Sequence, residues 1–217
     1  MACGWIAIWT RTIFQSAKQK PAPRYCCSHC CIPQPVEQTM RRDSALLIVD
    51  VQVAQFEPNP PYQADTVLAR LNQAIAKARQ QEMPVIFVQH DSPPGTDLAP
   101  GSAGWALHPA LQRLPADPVV HKTVGDSFYR PELHALLQQL GIHQLWIGGS
   151  ATDFCIDYAI RSALSHDYAV TVLEDAHTCR NRPLLRGEQV VAHFNWVWRN
   201  MDETPQALRV CKVAELD

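Results

Sequence analysis

The chain has 217 residues, 47% of them hydrophobic and 18% charged, and its formal net charge is -2 at pH 7. That composition is ample for one globular core, and without a Lys/Arg block in its body the chain lacks the electrostatic footprint of a nucleic-acid or membrane-surface binder. No apolar run reaches the length of a membrane-spanning helix, so a small molecule is the expected partner.

Residues 1–39 read unlike the rest. They hold no acidic residue before Glu37, carry Arg11, Lys18, Lys20 and Arg24, and include the cluster "YCCSHCCIPQP". Three readings compete: a basic, transit-like extension, a metal-binding knuckle on "CCSHCC", or residues upstream of the native start. The last is preferred, because Met40 opens "MRRDSALLIVDVQ", a natural start for a cytosolic enzyme, and adjacent cysteine pairs crowd a tetrahedral zinc site. Residues 1–39 are thus expected to be a disordered or non-native extension and residues 40–217 the folded domain. Cys3, Cys26, Cys27, Cys30 and Cys31 fall in that extension, which leaves Cys155, Cys179 and Cys211 in the body. Three scattered thiols fit a reducing cytoplasm better than an oxidised secreted scaffold.

From Ser44 onward, apolar runs alternate with amphipathic stretches. "ALLIVDV" is nearly continuous in apolar residues, as a strand buried on both faces of a parallel sheet would be. "ADTVLARLNQAIAKARQQ" then places Val67, Leu68, Leu71, Ile75 and Ala78 on one helical stripe, and "PVIFVQH" is a second strand. The stretch "DSPPGTDLAPGSAGWALHPAL" is too rich in Pro and Gly for regular structure and long for a connection, so it reads as a functional loop. Next come a short strand in "PVVHKT", a helix in "PELHALLQQLG" with Pro131 near its start and Gly141 just past its end, and a strand in "QLWIGG". The helix holding Cys155, the strand "AVTVLED", a helix through "EQVVAHFNWVWRNM" and the short strand "LRVCKV" complete the alternation. This order predicts a three-layer α/β fold: a doubly wound, mostly parallel six-stranded sheet with helices on both faces. In such sheets ligands bind outside the carboxyl ends of the strands.

Three polar residues stand at those ends. Cys155 follows the "QLWIGG" strand on the first turn of the next helix, where unpaired N–H groups and the helix dipole are expected to stabilise a thiolate and lower its pKa. The bland alternative is a cysteine buried as a small hydrophobe. Asp50 ends "LLIVD" and reads either as a cap or loop anchor or as a catalytic group. Lys122 ends "PVVHK", where a lysine often snorkels to solvent, although a cation facing a thiol would activate it. A nucleophile, a base and an activating cation at one sheet edge are what covalent catalysis needs.

The segments "LLIVDVQ", "HKTVGDSF" and "GGSATDFCID", in this order and spacing, resemble the isochorismatase-like cysteine hydrolases, a family that includes nicotinamidase and N-carbamoylsarcosine amidohydrolase. The resemblance runs from about Ala45 to Val213. It implies a catalytic triad of Asp50, Lys122 and Cys155, a cis peptide between Ser150 and Ala151, and an oxyanion hole formed by the N–H groups of Ala151 and Cys155. The implied reaction is hydrolysis of a C–N bond in a small amide-type molecule through a thioester on Cys155. Isochorismatase itself lacks the nucleophilic cysteine, so vinyl-ether hydrolysis is not expected.

Nicotinamidases hold a metal with an Asp and a His two apart after the second strand. Here the run is "VQHDSPP": His90 and Asp91 are adjacent and Ser92 stands where the histidine would be. No metal and no cofactor are therefore expected, and His90 reads as a hydrogen-bonding loop anchor. Phe56, Trp105 and Phe128 are the candidate pocket walls, with Phe154 and Tyr158 flanking the thiol. Asp153 reads as a helix N-terminal charge. Cys179 and Cys211 read as inert, and His177, His193 and "NWVW" as helix and interface packing in a homo-oligomer. Two other classes stay open: a redox protein with Cys179 as resolving thiol, and a non-catalytic binding module on the same fold.

Overall fold

The computed structural model describes residues 42–201 and 205–216; the expected extension at residues 1–39, with its cysteine cluster, lies outside them. In chain order the elements are β1 (Ser44–Val49), α1 (Val53–Phe56), α2 (Ala64–Gln80), β2 (Val85–His90), β3 (Val119–Lys122), α3 (Pro131–Gln139), β4 (Gln144–Ser150), α4 (Asp157–Ser165), β5 (Ala169–Thr178), α5 (Gly187–Arg199) and β6 (Leu208–Cys211). The six strands form one sheet in the order β3-β2-β1-β4-β5-β6. Every neighbouring pair is parallel. The strand order reverses direction between β1 and β4, the switch point at which doubly wound sheets open a crevice.

The apolar run of β1 is continuous because both of its faces are covered. Leu47 and Val49 pack with Ile86, Leu145, Leu133 and Ile160 on one side, under α3, α4 and α5. Leu46 and Ile48 pack with Phe87, Trp146, Leu71 and Ile75 on the other, under α2. Successive residues of a strand face opposite ways, so a sheet clad on both sides has no position left for an alternating polar residue. The stripe expected on α2 is the buried one, with Val67, Leu68, Leu71, Ile75 and Ala78 turned to the sheet. Truncating Leu71, fully buried, would cost about 2–5 kcal/mol by the usual scale for a large-to-small core change. Gly141, just beyond α3, has φ +67, the left-handed conformation that lets a helix end there.

Two segments depart from the sequence reading. An ordinary α-helix was expected around Cys155, yet residues Thr152–Ile156 form a π-helical turn before α4 begins. Strand β5 continues three residues past "AVTVLED" to Thr178, with a register irregularity between Ile147 and Gly149 of its partner β4. The polar residues in "EDAHT" hide that extension from a period-2 reading. Its effect is to carry His177 and Thr178 to the same carboxyl edge as Asp50 and Cys155.

Candidate active site

Strand β1 delivers Asp50 to the switch point. Its N–H is held by the carbonyl of Val88 at 2.9 Å, and its backbone turns into the left-handed region at φ +51. A non-glycine residue pays for that conformation, and such strain persists where surrounding structure enforces it. Strand β4 lies hard against β1, with Gly148 opposite Ile48 and Gly149 opposite Val49. A Cβ on Gly149 would stand 2.1 Å from the Val49 carbonyl oxygen, so only glycine lets the strands close here. The chain then passes the cis Ser150–Ala151 peptide and enters the π turn that holds Cys155. From β3, in register with His90 of β2, comes Lys122.

The structure brings these three side chains into one cluster. Lys122 Nζ lies 2.8 Å from Asp50 Oδ2, and the two side chains are 4% and 1% exposed. The contact is an ion pair by distance; neither Asp50 oxygen receives a well-directed hydrogen bond from the described residues. Lys122 Nζ also donates to the Gly125 carbonyl at 2.6 Å. Asp126, in the same loop, accepts the Phe128 N–H at 2.8 Å and the Ser162 hydroxyl at 2.8 Å, which ties the lysine loop to α4. The Cys155 thiol interacts with both the carboxylate and the ammonium.

Electrostatics overturn one expectation. The Cys155 pKa is not lowered but pushed up to about 12, first by burial and then by the neighbouring Asp50 charge, against which Lys122 acts in the opposite sense. Burial also raises the Asp50 carboxyl above its usual range, with Lys122 the largest opposing influence. At rest the cysteine is therefore a thiol. Ionising it at neutral pH without help is costly, because burial and the Asp50 charge both disfavour the thiolate. A base in contact with the sulfur removes that cost, and a carboxylate whose own pKa is raised is better matched to the task.

The long Pro/Gly loop forms a wall beside Asp50. It returns along the segment after β1, with the Ala106 and Gly104 carbonyls accepting the N–H groups of Val53 and Ala54, and His108 donating to the Val51 carbonyl. Gln52, fully buried, clamps it: its Nε2 donates to the carbonyls of His90 (3.0 Å) and Trp105 (2.8 Å), and its Oε1 accepts the His90 N–H at 2.9 Å. The Trp105 indole donates to Asp91 Oδ1 at 2.7 Å and stacks on His121. Gln52 stands in the quoted "LLIVDVQ", but nothing local shows that it spans the sheet edge. His90 anchors the loop through its backbone rather than its imidazole, whose buried Nδ1 has no hydrogen-bond partner among the described residues.

Other expected residues fall in varied places. Phe56 and Phe128 are 3% and 6% exposed and pack into the two cores, Phe128 stacking on His166. Both offer a ligand little surface. Asp153 is more than a helix-end charge: Arg182 grips it with two hydrogen bonds of 2.6 and 2.7 Å and lays its guanidinium 4.9 Å over the half-exposed Phe154 ring. His177 is not helix packing but a buried residue of β5, joined to Thr152. Cys179 and Cys211 are buried free thiols. Asp91, next to His90 in the chain, is already engaged by Trp105 and His121, and among the described residues no group of three or more His, Cys, Asp or Glu could hold a metal ion. A groove of about 960 Å³ opens between Val53–Pro58 and the loop at residues 94–104; no triad candidate lines it.

With this geometry in hand, comparisons with known proteins assign the family. The Isochorismatase domain model matches residues 44–189, and the chain belongs to that family. A streptothricin hydrolase of Streptomyces noursei is 33% identical over 156 residues, covering 70% of this chain and 61% of that protein. A second streptothricin hydrolase of the same organism is matched over 51% of its length, so the chain spans half to three fifths of these relatives. The ureidoacrylate amidohydrolase RutB of Variovorax paradoxus is 28% identical over 199 residues, with 71% of this chain and 77% of that protein covered. Among solved structures, the crystal structure of an isochorismatase family protein superposes with a TM-score of 0.71 at 31% identity, covering 80% of this chain and all of the other. No described helix is long and apolar enough to cross a membrane.

Proposed function

We propose that the chain is a cysteine-dependent hydrolase that cleaves a C–N bond of a small amide-type molecule. The observation that carries this reading is the convergence of buried Asp50 and Lys122 with partly buried Cys155 in one cluster at the switch point of the sheet. Relatives named for the hydrolysis of streptothricin and of ureidoacrylate point the same way.

In the proposed reaction Asp50 takes the Cys155 proton as the sulfur attacks the carbonyl carbon, and Lys122 balances the negative charge of the pair. The tetrahedral oxyanion is received by the N–H groups of Ala151 and Cys155. Among the described residues no backbone carbonyl takes the Ala151 N–H, so it is free to serve. Mutational precedents put such a donor at about 3 kcal/mol of transition-state stabilisation. Collapse breaks the C–N bond, and the amine leaves with the proton held by Asp50. The same carboxylate then draws a proton from water, whose oxygen attacks the thioester; acid is released and the thiol restored.

The pocket in this proposal lies against the triad at the strand edge, with Trp105 as its wall and Phe56 and Phe128 as packing behind it. Among the described residues a redox role finds no accessible resolving thiol, since Cys211 is buried and Cys179 is fully buried and turned to the Gly187 carbonyl. The test is a screen of streptothricin, ureidoacrylate and other small amides, ureides and lactams for substrate loss and ammonia or amine release. Intact-mass spectrometry of quenched turnover is expected to show an acyl adduct on the Cys155 peptide. Turnover without any adduct, undiminished in a Cys155→Ala chain, would remove the proposal.

A further inference from the structure

We infer that His177 is a positioning residue: through the hydroxyl of Thr152 it holds the turn that presents the Ala151 and Cys155 N–H groups. The inference rests on the hydrolase reading above and adds a residue that none of its steps employs.

Three hydrogen bonds carry it. His177, 1% exposed at the end of β5, has Nδ1 2.9 Å from Thr152 Oγ1 and Nε2 3.0 Å from Asn195 Oδ1. Asn195, on α5, donates from Nδ2 to the Glu174 carbonyl at 3.1 Å. A carbonyl oxygen only accepts, so this last bond fixes the orientation of the Asn195 amide and leaves its Oδ1 as an acceptor. The proton on the imidazole therefore sits on Nε2. Burial pulls the His177 pKa down to about 4, so the ring is neutral and carries that one proton alone. Its Nδ1 can then only accept, and Thr152 must donate. One direction runs through the whole chain: Thr152 O–H to His177, His177 N–H to Asn195, Asn195 N–H to the backbone of β5.

Thr152 is where this chain meets the chemistry. It is fully buried, adjoins Ala151 and opens the π turn three residues before Cys155. The Ala151 carbonyl accepts the N–H groups of Phe154 and Ile156 inside that turn, while its own N–H has no backbone acceptor among the described residues. Single π turns are uncommon and cluster at functional sites, where outside contacts sustain them. The tether from Thr152 to β5 and α5 is such a contact. An apolar side chain would fill the same space beside Trp198, whose ring meets His177 edge-on at 5.1 Å. What the imidazole adds is a pair of opposed nitrogens that can bridge the turn to the helix. The Cys179 thiol also interacts with the Thr152 hydroxyl, so the residue is held from two sides.

A positioning role separates acyl transfer from mere thiol reactivity. Acylation by p-nitrophenyl acetate forms the S–C bond at Cys155, breaks the ester C–O bond and releases p-nitrophenolate, with the thiol proton passing to Asp50; it needs the oxyanion donors. Alkylation by iodoacetamide displaces iodide at a saturated carbon and needs only the sulfur. Both rates are read at the Cys155 peptide by mass spectrometry in the full chain, with thermal melting alongside. Thr152→Val and His177→Phe are expected to slow acylation about ten- to a hundred-fold while alkylation stays within about threefold of the unaltered chain. Thr152→Ser, which keeps the donor, is expected to restore acylation. Acylation unchanged in Thr152→Val and His177→Phe, or acylation and alkylation slowed together, would overturn the inference and leave the hydrolase reading standing. An unaltered chain that never acylates at Cys155 would overturn both.

Discussion

Replacing Lys122 by methionine puts the central ion pair to the test. Methionine keeps most of the unbranched apolar stem and deletes the ammonium, so the change strands Asp50 with little loss of packing. The carboxylate is 1% exposed and no well-directed donor among the described residues would remain to it. Removing one partner of a buried pair costs about 3–5 kcal/mol, because the other charge is left uncompensated. The pH dependence has a defined sign. Burial already raises the Asp50 pKa above its ordinary 3.8, and Lys122 is the largest influence opposing that rise. Without Lys122 the folded-state pKa climbs further above the unfolded one, so the folded chain binds a proton more readily than the unfolded chain. The penalty is full above that raised pKa and shrinks as the pH falls toward the unfolded value. Urea unfolding at pH 8 and pH 5, extrapolated linearly, measures it. Lys122→Met is expected to lose about 3–5 kcal/mol at pH 8 and clearly less at pH 5, and Asp50→Asn combined with Lys122→Met to regain most of the loss. Hydrolysis should fall with it, since a protonated Asp50 cannot take the thiol proton. A single variant within about 1 kcal/mol of the unaltered chain at pH 8, or a double variant no more stable than the single, would refute the reasoning.

Cys155→Ser is expected to keep the fold and lose at least about a hundred-fold in turnover, because a hydroxyl ionises far less readily beside Asp50; near-normal turnover would end the triad assignment. The unfolding free energy should fall by about 3 kcal/mol between pH 7 and pH 4 through His177 alone. Its folded pKa of about 4 lies below the ordinary 6.5, so the unfolded chain binds the proton first as the pH drops. His177→Gln should flatten that part of the stability profile, and an unaltered slope would contradict it. The purified protein is expected to contain no stoichiometric zinc and exhaustive chelation to leave its hydrolytic rate unchanged, whereas activity lost on chelation and restored by adding metal would make His90 a ligand. A chain beginning at Met40 is expected to fold and hydrolyse as the full chain does, and insolubility would show that residues 1–39 contribute.

Short-range pattern carried a large part of the molecule. A run such as "ALLIVDV" is legible because a strand clad on both faces must be apolar at every position, and the stripe on α2 because a helix repeats its face every 3.6 residues. Those periods, with the alternation of elements, specify a parallel sheet and put Asp50, Lys122 and Cys155 at strand ends. The glycines before Cys155 were visible too, although their purpose was not: Gly149 is required by the Val49 carbonyl of a strand a hundred residues away.

Only the tertiary structure decided what surrounds those strand ends. Local reasoning from the helix dipole gave Cys155 a lowered pKa, yet burial and the Asp50 charge raise it, and both depend on elements that pack together from distant parts of the chain. His177 looked like packing because its partners, Thr152 and Asn195, are 25 and 18 residues away and share no periodicity with it. Asp153 and Arg182 are likewise 29 residues apart. The apolar period of an element is repeated along the sequence and can be read there; a hydrogen bond between two single side chains is made once, in space, and desolvation exists only after the layers have closed.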